Sequence, residues 1–90
     1  MLTFNQQPAE NLDYDFDFTD WLSARGDAAL SQLVTLEAGA MLGTAMLQGS
    51  VVKVYVSAGT DGAKLKLACT LTTTGGRIKQ EKCFIKFKEA

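Results

Sequence analysis

From Asn11 to Phe18, NLDYDFDF sets Leu12, Tyr14, Phe16 and Phe18 on one side and Asp13, Asp15 and Asp17 on the other. Alternation with period two over this length marks a strand with one buried and one solvated face. The next stretch, TDWLSARGD (19–27), loses the alternation and contains Gly26. It predicts a turn, with room for one short helical turn behind a Thr19 or Asp20 cap. Trp21 and Leu22 are expected to plug one end of the core.

AALSQLVTL (28–36) carries enough Val, Leu and Thr for a strand, although Gln32 shares a face with Leu30, Val34 and Leu36. AMLGTAMLQ (40–48) mixes helix formers with Gly43 between the flanking Gly39 and Gly49, which predicts a short strand with a bulge or bend. SVVKVYVS (50–57) has the highest strand propensity and is dense enough in apolar residues to suit burial on both faces. The AGTDG that follows supplies turn chemistry.

KLKLACTLTT (64–73) alternates again, with Leu65, Leu67, Cys69 and Leu71 inward and Lys64, Lys66, Thr70 and Thr72 outward. Thr74-Gly75-Gly76 predicts a hairpin, since adjacent glycines supply positive φ without steric cost. The last strand, residues 78–88, sets Cys83, Ile85 and Phe87 opposite Lys82, Lys86 and Lys88, with Phe84 the apolar exception on the second face. Roughly six or seven short strands separated by turn signals is the pattern of an all-β, immunoglobulin-like antiparallel sandwich.

At 90 residues there is room for one core only. Residues 1–10 are expected to form an N-terminal arm and residues 11–90 the sandwich domain. Hydrophobic residues at 47% and charged residues at 21% describe a chain that folds rather than a disordered one. The longest apolar stretch, Ala38 to Leu47, is too short for a bilayer, which takes about 20 residues, and no membrane association is expected. MLTFNQQPAEN lacks the basic and apolar regions of a secretory signal.

Charge changes the picture. Residues 1–45 hold seven acidic side chains against Arg25, whereas residues 46–90 hold eight basic against three acidic. The C-terminal lysines therefore suit the acidic N-terminal strand, or an acidic strip on a neighbouring copy. The whole chain is net acidic, with a pI near 5.2, which weighs against nucleic acid.

Candidate chemistry is sparse. There is no histidine, and no nucleophile elbow or phosphate-binding glycine loop, so no enzyme and no cofactor are expected. Asp13-x-Asp15-x-Asp17 invites calcium, but the loop signature needs glycine and glutamate where Phe18 and Ala24 stand. These aspartates read as a solvated strand face that discourages edge pairing. Cys69 and Cys83 read as buried thiols, with a disulfide between neighbouring strands as the lesser alternative. Arg25-Gly26-Asp27 spells an adhesion tripeptide, though a turn explains Gly26.

Taken together, LDYDFDFTDWLSARGD, VYVSAGTDGAKLKLACTLTTTGGR and KCFIKFK resemble a family of small immunoglobulin-like, virion-associated proteins of tailed bacteriophages. Its pattern has a D-Y-x-F-D opening, a G-D step, a V-S-G-G-T-x-G turn and a T-C-x-[IL]-T-T-x-x-G-R hairpin. The chain departs at Ala58, where glycine is usual, and at Ala68, where threonine is common; the 40–48 strand is also more apolar than the pattern. The resemblance implies a structural role in the virion. The leading expectation is a capsid decoration or cement protein bound to the major capsid protein lattice, with contacts between copies. The alternatives are a tail, neck or fibre-base module, or a soluble protein-binding module encoded by the phage. Expected contact residues are Trp21, Leu22 and Arg25, the acidic row Asp13, Asp15 and Asp17, and the basic row Lys79, Lys82, Lys86 and Lys88.

Overall fold

A computed structural model describes residues 2–89. Seven strands and one helix follow the hydropathy pattern: β1 (Leu2–Gln6), β2 (Leu12–Asp17), α1 (Thr19–Arg25), β3 (Ala29–Leu36), β4 (Met41–Gln48), β5 (Val51–Ser57), β6 (Lys64–Thr73) and β7 (Ile78–Phe87). They form two sheets, ordered β1-β7-β6-β3 and β2-β5-β4. Lettered A to G in chain order, the second sheet is B-E-D and the first is A-G-F-C, an immunoglobulin-like sandwich. The first strand sits at the G edge rather than beside B, and it is the parallel exception in an otherwise antiparallel fold, with Leu2 opposite Cys83 and Gln6 opposite Phe87. The stretch read as an N-terminal arm thus carries a strand, and its side chains explain why. Leu2, Phe4 and Gln6 share the face that meets the other sheet, and the Phe4 ring centroid lies 5.3 Å from that of Tyr14.

Alternation places the core. Tyr14, Phe16 and Phe18 with Val52, Val54 and Val56 face Leu65, Leu67, Cys69, Leu71, Cys83, Ile85 and Phe87. Burying each of the larger side chains contributes about 1.5–3 kcal/mol. Strand β5 is buried on one face only, contrary to its composition. Lys53 and Tyr55 point outward, and Tyr55 is 38% exposed, because no third layer covers that sheet among the described residues. Strand β4 has the predicted bulge, between Leu42 and Ala45. Gly43 permits it, since a Cβ there would lie 3.1 Å from both Cβ and the carbonyl oxygen of Tyr55. No helix is long and apolar enough to cross a membrane among the described residues.

The 19–27 segment opens with the seven-residue helix α1, capped by Phe18, not by Thr19 or Asp20, and no side chain caps that position. Asp17 acts from one residue earlier: its Oδ1 accepts from the Thr19 amide and hydroxyl, and those bonds hold its carboxyl below the usual range. The helix ends on Gly26 at φ 59°, the left-handed conformation glycine takes without a Cβ penalty.

Candidate functional site

Helix α1 sits where the chain passes from β2 to β3, at the end of the sandwich that also holds the β4–β5 and β6–β7 turns. Leu22 is 2% exposed and belongs to the core, so of the expected contacts it is the one that anchors the corner from beneath. Trp21 lies half-buried above it, one turn from Arg25 on the same helical face. The Arg25 guanidinium is 5.3 Å from the Trp21 ring centroid, and Lys79 reaches the same ring at 5.9 Å from β7. One turn of α1 and a distant residue of β7 thus form one cationic–aromatic corner, at distances where the ring's negative face attracts a cation. Its partly exposed indole and two cations suit an acidic or carbonyl-rich protein surface.

Next to it, Asp27 does work that the tripeptide reading missed. Its side chain is 4% exposed. Oδ1 accepts from the Ala28 amide (2.8 Å), the Gly75 amide (3.0 Å) and the Thr74 hydroxyl (3.1 Å), while Oδ2 pairs with Arg77 Nη1 at 2.8 Å. The Thr73 hydroxyl above all, then the Ala28 amide, Arg77 and the Gly75 amide, hold this carboxyl well below the usual range against the opposing effect of burial. A Cβ at residue 75 would lie 2.9 Å from Asp27 Oδ2, so glycine is needed for the approach. Asp27 therefore ties the helix exit to the β6–β7 hairpin, and its carboxylate is not free to serve a receptor.

The charged rows lie on separate surfaces. Asp13, Asp15 and Asp17 project from the outer face of β2 at the edge of its sheet, opposite Tyr55, Lys53 and Val51 of β5. Lys82 and Lys86 project from the outer face of the other sheet, on the face that also carries Lys64 and Lys66, and Lys88 follows beyond the end of β7. Lys79 has the opposite parity and turns toward Trp21. The expected pairing of C-terminal lysines with the acidic strand is absent among the described residues, because β2 and β7 belong to different sheets. Lys53 pairs with Asp13 at 3.5 Å instead, and Lys79 with Glu81 at 3.9 Å. Charges this exposed contribute little to stability but remain available to a partner.

Gln6 escaped the sequence reading altogether. It is 2% exposed, with Nε2 donating to the carbonyls of Glu10 and Val56, both at 2.8 Å, and Oε1 accepting from the Tyr14 hydroxyl at 2.7 Å. One glutamine thereby joins β1 to both strands of the opposite sheet edge. Burial first, and then the negative charge of Cys83, Glu10 and Asp13, push the Tyr14 hydroxyl up to about 12. A polar residue in a segment without periodicity gives no signal of burial; only its partners do.

Among the described residues no group of three His, Cys, Asp or Glu side chains is placed to hold a metal. Cys69 and Cys83 are buried and free, on adjacent strands but out of register, with Cys69 opposite Glu81 and Cys83 opposite Leu67. Burial pushes both thiols up, Cys69 to about 11.

Residues 6–86 match a family model described as podophage GP4 fiber-tail adaptor protein gp77, which spans the fold from the buried Gln6 almost to the end of β7. No curated protein matches the chain. The match agrees with a phage virion component, as the resemblance implied; it does not support capsid decoration, and the tail or fibre-base alternative fits better. The chain belongs to the podophage GP4 fiber-tail adaptor protein gp77 family.

Proposed function

We propose that this domain is a non-enzymatic connector in the podophage tail, joining fibre to tail through its exposed corner and charged faces. The family match over residues 6–86 carries this reading. The shape supports it: a body of 44 × 23 × 17 Å, its strands running along the long axis, has α1 and the 74–77 turn at one end and the 7–11 and 58–63 loops at the other. Two partners thus have separate ends to dock on. The Trp21–Arg25–Lys79 corner is the first contact, with Asp13, Asp15, Asp17, Lys82, Lys86 and Lys88 setting orientation. The groups with displaced pKa values, Asp17, Asp27, Tyr14 and the two thiols, are all engaged in the fold.

Quantitative mass spectrometry of purified particles tests the reading. A few copies per particle, lost together with the fibres when Trp21→Ala and Arg25→Glu are combined, is the expected result. A ratio near one per shell subunit would return the protein to the capsid surface and overturn the connector.

A further inference from the structure

Strand β7 is ten residues long, yet β1 covers only its second half, from Cys83 to Phe87. Along Ile78–Lys82 the edge facing away from β6 has no strand partner among the described residues. An unpaired edge is a template for another chain, and proteins usually blunt it with charge, proline or a bulge. Here it is flanked by large apolar side chains, Leu2 at 69% and Ile78 at 70% exposure.

A groove of about 560 Å³ opens beside this edge, between the end of β1 and strand β2 of the facing sheet. Leu2, Phe4, Phe16 and Cys83 give it an apolar lining. Its rim is acidic, with Asp13, Asp15, Asp17 and Glu81 against Lys82. Lys53 takes up Asp13, and Lys79 stands 3.9 Å from Glu81, but Asp15 has no ion-pair partner among the described residues.

We propose that this notch is a strand-addition site. An extended segment of a partner virion protein adds beside Ile78–Lys82 in line with β1, its inward side chains alternately apolar and basic, its outward ones neutral. Main-chain bonds along an open edge supply affinity and pockets for alternate side chains supply specificity. The apolar inward residues cover Leu2 and Phe16, and the basic ones reach Glu81 on the inner face of β7 and, around the open edge of β2, Asp15. Neutral outward residues follow from Lys82, which projects on the other face beside the added strand. That the partner is a virion protein rests on the connector reading; the notch and its chemistry do not.

The intact, ¹⁵N-labelled protein is titrated with a nine-residue peptide alternating threonine with isoleucine and arginine (TITRTITRT), and with its glutamate counterpart (TITETITET). The arginine peptide is expected to shift the amides of 2–4, 13–17 and 78–82 and to bind at least tenfold tighter than the glutamate peptide. Asp15→Lys combined with Glu81→Lys, both on exposed positions, should reverse that preference while the far-ultraviolet circular dichroism stays unchanged. Shifts elsewhere, or equal binding of the two peptides, would overturn the proposal. The same amides moving with protein concentration alone would assign the notch to a second copy and overturn it as well. None of these outcomes alters the copy number in particles, so the connector reading stands or falls separately.

Discussion

Ala58 stands at φ 52°, in the left-handed region that favours glycine. A non-glycine residue pays about 1–2 kcal/mol for that conformation. Replacing it by glycine relieves this cost but returns about 0.4–1 kcal/mol of freedom to the unfolded chain. Ala58→Gly is therefore expected to stabilise the protein by about 0.5–1 kcal/mol, read as a higher urea midpoint at unchanged slope. Asp27 gives a second residue-scale prediction. Its folded-state pKa lies below the ordinary 3.8, so its contribution is fully present above that pH and is lost as pH falls through the folded value. Asp17 acts in the same sense. Asp27→Asn should lower the thermal midpoint at pH 7 and flatten its decline below pH 3.8; an acid limb as steep as in the parent protein would show that the carboxylate network is not what titrates.

At the scale of elements, β1 is held by its ladder to β7 and by the buried Gln6 side chain. Gln6→Ala leaves the Val56 carbonyl and the Tyr14 hydroxyl unpaired at a buried junction. A loss of about 2–3 kcal/mol is expected, as for other unsatisfied buried groups. Hydrogen exchange should quicken first in residues 2–6 and 83–87, which pair with each other. Uniform quickening across both sheets would mean that β1 has no stability of its own to lose. The 58–63 turn is fixed by a different device. Gly59 packs against the Phe87 ring so closely that a Cβ would land within it, while the Gly62 amide donates to the Phe87 carbonyl at 2.8 Å. The turn and the end of β7 thus close one end of the sandwich together, as Asp27 closes the other.

For the molecule as a whole, the two thiols report on cooperativity. Cys69 is 0% and Cys83 5% exposed, both in the shared core between the sheets, and both titrate above the ordinary thiol range. Only the thiolate reacts, and Cys69, wholly buried, is labelled only when the sandwich opens, whereas Cys83 borders the groove beside β2. At neutral pH, modification of Cys69 by a disulfide reagent is expected to be slow and to rise with urea in parallel with loss of the circular dichroism signal. A fast phase that mass mapping assigns to Cys69 would reveal partial opening of the core. The charge distribution is also a whole-molecule property: acidic groups on the outer face of one sheet and basic groups on that of the other make the body dipolar. Such a field steers a partner's approach and weakens with salt.

The sequence by itself determined where most of the strands from Leu12 onward lie and, where apolar and polar residues alternate strictly, which face is buried, because alternation with period two is a local consequence of backbone geometry. From that pattern Leu12–Phe18, the 64–73 strand, the glycine hairpin and the bulged 40–48 strand were all legible, and the motifs carrying the resemblance already pointed to a phage virion. Local pattern could not reveal which strands become neighbours. The parallel pairing of residues 2–6 with 83–87 spans nearly the whole chain, and its key residue, Gln6, is polar and sits in an unpatterned stretch. For the same reason tertiary structure decided the fate of the site residues. It engaged Asp17 and Asp27 in the fold, separated the C-terminal lysines from the aspartates of β2, and gathered Trp21, Arg25 and Lys79 into one corner. Burial and charge pairing depend on what the other sheet places opposite, and no single strand encodes that.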